Sequence, residues 1–296
     1  MTPLILWTFA IAAVTAIACS LCGVFLVIKR EAFVSEGLSH AVLPGIILAF
    51  LVIPDRSSPW LVIAAGLSGL VMVWLTQLIT ATGRVEKDAA LGIVFSGLFS
   101  VGIIASSLKL KKVHFHAHCI IDGNLSFAPL QPFEVGGVYL GPKAFVTMML
   151  MLAVLILFIT VFYKEMKLAS FDEVSARMFG FRPRLLHSCW LALVSMTAVA
   201  AFETAGTVLV VALMIAPPAA ANLLSSRLSR MLMISPILAV AGALGGTAAG
   251  IGLEISPAGP ICAAAGLIFV AALFASKESP FFRHRKPDIE GPGSRA

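Results

Sequence analysis

Residues 5–28, ILWTFAIAAVTAIACSLCGVFLVI, contain no charged side chain and end abruptly at Lys29-Arg30. At ~1.5 Å of rise per helical residue the stretch is ~36 Å long, enough to cross a ~30 Å hydrocarbon core. It lacks the basic leader region of a secretory signal, so it reads as a retained membrane span. Cys19 and Cys22 form a C-x-x-C inside this run. Enclosed in apolar sequence, they read as small packing residues rather than as a redox or metal pair.

The pattern recurs along the whole chain. Of its 296 residues, 59% are hydrophobic and only 12% are charged, about half the ~25% charged content of a soluble domain. Nine apolar candidates can be counted, at 5–28, 32–53, 59–81, 88–107, 140–163, 185–201, 204–223, 231–251 and 258–275. The sixth is short and reads as a hairpin partner of the seventh or as a partly re-entrant segment. The short alternating segments of a membrane β-barrel are missing. The expected fold is therefore an all-α integral membrane protein, a polytopic bundle of eight or nine transmembrane helices. It forms one transmembrane domain over 1–296.

The net charge of +6 invites a nucleic-acid reading, but the basic residues are distributed by side. With the N-terminus outside, all but Arg56, Lys109, Lys111, Lys112 and Lys143 of the 21 lysines and arginines fall in cytoplasmic segments. That is the positive-inside bias, and the opposite orientation would invert it. The expectation is N-out and C-in, with a cytoplasmic loop at 164–184, an outward loop at 108–139 and a cytoplasmic tail at 276–296. No nucleic-acid partner is called for.

The second candidate span carries the chemistry. In FVSEGLSHAVLPG, residues 33–45, Glu36 and His40 stand four apart and share one helical face. His40 lies ~12 Å along the axis from the span's start, near mid-membrane. A carboxylate plus an imidazole suits Mn²⁺, Fe²⁺ or Zn²⁺. Ionisable groups at that depth mark ion pathways by default. Pro44 cannot donate to the carbonyl of His40, and a freed carbonyl in lipid is costly unless it lines a cavity. In VLVVALMIAPPAAA, residues 208–221, Pro217 and Pro218 likewise free the carbonyls of Leu213 and Met214. Two interrupted helices point to a transport pathway.

Three further features have a place. The outward loop holds KLKKVHFHAHCIIDGNL, in which His114, His116 and His118 alternate. An extended strand would put the three imidazoles on one face, able to bind a borderline metal. The segment 164–184 mixes charges (Glu165, Asp172 and Glu173 against Lys164, Lys167 and Arg177) and reads as a docking surface. Gly242, Gly246 and Gly250 repeat at the small-residue period that lets helices approach closely. No G-x-x-x-x-G-K-[ST] phosphate loop occurs, so any ATP-driven work requires a separate ATPase polypeptide.

SEGLSHAVLPG (35–45), TVLVVALMIAPPAAA (207–221) and KEMKLASFDEVSARMFGF (164–181) together resemble the signature segments of permease subunits of bacterial manganese/zinc/iron ABC importers. The likeness covers nearly the whole chain, in the right order and topology. It implies a type II importer-like permease in the bacterial cytoplasmic (inner) membrane. The implied partners are a cytoplasmic ATPase subunit, an extracytoplasmic metal-binding protein and a second permease subunit, identical or related. No cofactor is bound permanently, and the metal ion is cargo.

Carried over by residue, the family's metal ligands fall on Glu36 and His40, with glutamate where relatives commonly have aspartate. Phe171, Asp172, Ala176 and Gly180 match the loop that forms a short ATPase-docking helix. Gly123-Asn124 matches a turn on the side that receives the binding protein. The SHAVLPG wording resembles manganese/iron members more than zinc members. Two other readings are an intramembrane enzyme, with Glu36 and His40 holding a catalytic zinc, and a proton-coupled metal carrier. The first lacks an evident third ligand, and the second would show more buried carboxylates.

Overall fold

A computed structural model of the chain describes residues 2–52, 59–109, 125–135 and 138–276. The nine expected spans are present among these residues, each long and apolar enough to cross a membrane. They are α1 (Thr2–Ile28), α2 (Phe33–Val52), α3 (Pro59–Thr80), α4 (Lys87–Lys109), α5 (Lys143–Val161), α8 (Pro183–Ala205), α9 (Thr207–Leu224), α10 (Leu228–Gly252) and α11 (Ala258–Ala275). Two short helices, α6 (Tyr163–Phe171) and α7 (Glu173–Met178), lie between α5 and α8. A two-stranded antiparallel hairpin, β1 (Pro132–Val135) and β2 (Val138–Pro142), precedes α5.

The sixth span corrects its sequence reading. It is neither short nor re-entrant, because α8 runs for 23 residues. His187, Ser188, Cys189, Glu203 and Thr204 narrow the apolar window, but the helix continues through them. A single residue, Gly206 with φ +84°, turns the chain into α9. The proline reading is corrected too. Pro44 lies inside continuous α2, and Pro217-Pro218 inside continuous α9. Each costs one backbone hydrogen bond without interrupting its helix.

Helix α1 packs against α5, α8, α9 and α10, which explains why its apolar residues encircle it instead of forming one stripe. Phe25 meets Trp190 of α8 edge-to-face with ring centroids 4.9 Å apart. Cys19 and Cys22 are free and buried here. The closest approach is at Gly23, where a β-carbon would fall 1.8 Å from the Met214 carbonyl oxygen of α9. Met214 is the residue whose carbonyl Pro218 leaves without an intrahelical donor. That carbonyl therefore rests on the bare face of α1.

Helices α10 and α11 pack through the glycine stripe. A β-carbon on Gly246 would lie 2.4 Å from the Ile261 Cα of α11, so the small-residue period is used for internal packing. At one end of the bundle Trp7 packs edge-on against Phe145 at 5.2 Å, and Lys143 pairs with Glu203 at 3.1 Å. The opposite end gathers Lys29, Glu31, Lys87 and His187.

Candidate functional site

Helix α2 is held between α3 and α4, which bury most of its surface. From Phe33 to Leu48, only Phe33, Glu36, His40 and Leu48 remain partly or fully exposed, and their spacing puts them on one stripe. Within it, His40 Nε2 lies 3.4 Å from Glu36 Oε1, and the two side chains are 42% and 43% exposed. The expected i, i+4 pair is therefore formed, and it faces outward from the chain.

Helix α4 fixes the imidazole. Phe95 stacks on it with centroids 5.3 Å apart and planes at 20°, while Phe99 meets it edge-on at 5.6 Å. The two aromatic contacts hold the ring while its Nε2 stands beside Glu36. Ser39 turns its hydroxyl back to the Glu36 carbonyl at 2.7 Å, keeping that polar group off the stripe. Glu36 also opens onto a cavity of about 490 Å³, lined by Arg30 and Phe33, by Asp88 at the start of α4, and by Val211 and Ile215 of α9. Asp88 escaped the sequence reading because a charged residue beside Lys87 looks like an ordinary span boundary.

The prolines do not join this site. Pro217 and Pro218 are buried, and Met214 faces α1 at Gly23. His114, His116 and His118, with Gly123 and Asn124, lie outside the described residues. Among the described residues no group of three or more His, Cys, Asp or Glu side chains is placed to hold a metal ion.

The segment after α5 does form helices. Asp172 is the N-cap of α7 and accepts a hydrogen bond from the Ser175 N–H at 2.9 Å. The Ser175 hydroxyl and N–H hold its carboxyl below the usual aspartate range. Gly180, at φ +82°, ends the helix as Phe181 N–H reaches back to the Ala176 carbonyl at 3.1 Å, a Schellman closure. Ala176 is buried. Phe171, Val174, Met178 and Phe179 are 60–83% exposed, an apolar patch beyond what a solvated turn requires.

The family model described as the ABC 3 transport family matches residues 1–276. The chain belongs to the ABC 3 transport family. Two curated relatives fit that assignment. The manganese transport system membrane protein MntD of Bacillus subtilis is 37% identical over 270 residues, covering 91% of each chain. The zinc transport system membrane protein TroD of Treponema pallidum is 38% identical over 268 residues, 90% of this chain and 73% of that one. Among solved structures, PsaBC from Streptococcus pneumoniae in complex with Fab superposes with a TM-score of 0.75 at 24% identity, covering 92% of both chains. This last likeness carries the fold of the ABC 3 family member alone.

Proposed function

We propose that the chain is the membrane-spanning permease subunit of an ATP-driven importer for a divalent transition-metal ion, with Glu36 and His40 as ligands of the ion in transit. The observation that carries the proposal is the half-exposed carboxylate–imidazole pair in the first turns of an apolar, membrane-spanning helix. Such a pair cannot face lipid at its depth without a large desolvation cost, so a partner surface or a polar passage must cover it. A second permease presenting the same stripe covers both pairs and brings together two carboxylates and two imidazoles. One copy alone offers two side-chain ligands, too few for a four- to six-coordinate ion.

The names of MntD and TroD support a metal cargo and differ on which metal. Oxygen and nitrogen ligands accept Mn²⁺, Fe²⁺ and Zn²⁺ alike, so the ligand set does not choose. Asp88, in the same cavity as Glu36, supplies a second carboxylate along the way out. The end bearing residues 29–32, 81–86 and 162–182 is the cytoplasmic one in this reading, as its basic residues require. The opposite end, with the β1–β2 hairpin, receives an extracytoplasmic metal-binding protein. Uptake of radioactive Mn²⁺, Fe²⁺ and Zn²⁺ in turn, in cells lacking other importers and with or without an ATPase subunit, tests the proposal. It predicts accumulation of at least one ion that depends on both polypeptides.

The apolar patch on α6 and α7 is the proposed ATPase contact. Asp172 is a poor probe of it, because Asp172→Lys removes the helix cap and so perturbs the fold as well as the surface. Val174→Ser with Met178→Ser leaves the cap and the buried Ala176 in place. Truncating two exposed apolar anchors should weaken association about tenfold or more. The check is the yield of ATPase recovered with the purified permease, and an undiminished yield would place docking elsewhere.

The burial of both prolines, with Pro218 against Gly23 of α1, favours a packing role for them over a pathway role. Pro217→Ala with Pro218→Ala restores two backbone donors and removes two rings. Transport per molecule should stay within about twofold of wild type, since the site on α2 is untouched. Normal accumulation with uptake lost would return the prolines to the pathway.

A further inference from the structure

The end of the bundle opposite the β-hairpin contains a second polar site, apart from Glu36 and His40. Helix α1 closes there with Arg30 in the left-handed region at φ 57°, while Glu31 N–H reaches the Leu26 carbonyl at 2.7 Å. This tight turn drives Glu31 inward until it is only 4% exposed. Its Oε1 accepts from Lys87 Nζ at the first residue of α4 and lies 3.2 Å from His187 Nε2 of α8. Lys29 Nζ stands 3.3 Å from the other nitrogen of that ring. Burial alone would raise the Glu31 carboxyl, but His187 and Lys87 hold it below its ordinary value. It is thus a buried anion held directly by Lys87 and His187, with Lys29 joined to it through the imidazole.

These groups line a cavity of about 500 Å³ that also admits Arg184 and the α3 residues Trp74 and Leu78. Among the described residues of its wall, Lys29, Lys87 and Arg184 are cationic and Glu31 is the carboxylate. Lys87 uses one ammonium proton on Glu31 and keeps others for a ligand. The two long helices α4 and α8 begin at the cavity, with Lys87 and Pro183 in its wall. The N-cap of α8, Arg182, offers no side-chain acceptor to the first-turn amides. Helix N-termini and excess positive charge both select an anion. The remaining wall is apolar: Trp74 and Leu78 are 59% and 48% exposed and lie within the membrane-spanning part of α3. A soluble anion has no use for that wall, and a protein partner cannot follow it into the hydrocarbon.

We infer that this cavity binds the phosphate headgroup of an anionic phospholipid, with the phosphate among Lys29, Lys87, Arg184 and the start of α8 and the acyl chains along Trp74 and Leu78. Basic pockets between helices at the cytoplasmic surface have the right chemistry for such headgroups. A lipid there ties together the ends of α1, α3, α4 and α8.

The test uses the full-length protein in phosphatidylcholine nanodiscs and titrates phosphatidylglycerol while native mass spectrometry counts retained lipids. Wild type should retain phosphatidylglycerol over phosphatidylcholine. Arg184→Gln should weaken that retention about fivefold, the equivalent of ~1 kcal/mol for one basic residue at a charged membrane surface. Arg184→Lys should keep most of it. Arg184 is exposed and outside the Glu31 network, so unchanged melting of all three proteins in pure phosphatidylcholine confirms an intact fold. Equal retention of the two lipids, or no effect of Arg184→Gln, overturns the inference. Inorganic phosphate displacing the retained lipid at millimolar concentration would overturn it in favour of a free-anion site. Loss of ATPase recovery in Arg184→Gln with lipid retention intact would overturn it in favour of a protein contact.

Discussion

His40→Ala protein will insert and accumulate like wild type and will import no divalent metal above background. His40 is partly exposed on α2 and rests on Phe95 and Phe99, so losing the ring costs about 1 kcal/mol of packing and leaves no cavity in the core. In the proposed site, however, the substitution removes the nitrogen ligands of both copies at once. Partners that merely orient a metal ligand are worth ~10–100-fold, so deleting two ligands should reduce uptake at least ~100-fold. Glu36→Gln should match it, because it deletes charge while keeping size. Glu36→Asp should retain measurable transport and shift the preference among ions as the ligand becomes shorter. Radioisotope uptake normalised to membrane-inserted protein is the measurement, and near-normal uptake by His40→Ala would falsify the coordination role.

Gly23→Ala is the second severe case, with a different cause. The added methyl would lie 1.8 Å from the Met214 oxygen and 2.6 Å from Pro218 Cγ. A backbone carbonyl in a proline-containing turn cannot swing aside as a flexible side chain can. Helices α1 and α9 must separate, at a cost of ~3 kcal/mol or more. The protein should be recovered in low yield with a strongly lowered melting temperature. Gly245→Ala is the matched control, since among the described residues nothing beyond the helix's own turn lies within 4 Å of the new methyl and helix propensity improves by up to ~1 kcal/mol. Equal melting of Gly23→Ala and wild type would contradict the close approach.

The residues that declared themselves in the sequence did so through spacing or hydropathy. Nine spans follow from apolar length alone, and the face shared by Glu36 and His40 follows from helical periodicity. The full length of α8 did not, because hydropathy discounts His187 and Glu203 while the backbone carries them without interruption. The N-cap role of Asp172 was legible in Asp172–Ser175, a capping residue three before a donor, although the segment's mixed charge reads equally as a docking surface. Gly136-Gly137 between two short apolar runs was likewise a hairpin signal. Glu31 had no local signal. Three positions in a row, Lys29-Arg30-Glu31, read as a solvated turn, and only the left-handed Arg30 and the arrival of α4 and α8 bury the carboxylate.

In the proposed importer the ion meets His40 and Glu36 in a site shared by two copies. Pulsed electron paramagnetic resonance on Mn²⁺ bound to the purified permease tests it most directly, because coordinated imidazole nitrogen modulates the manganese spin echo. A shared site gives one Mn²⁺ per two chains, with nitrogen modulation that disappears in His40→Ala. Nitrogen modulation that persists in His40→Ala, or one Mn²⁺ per chain, would contradict it.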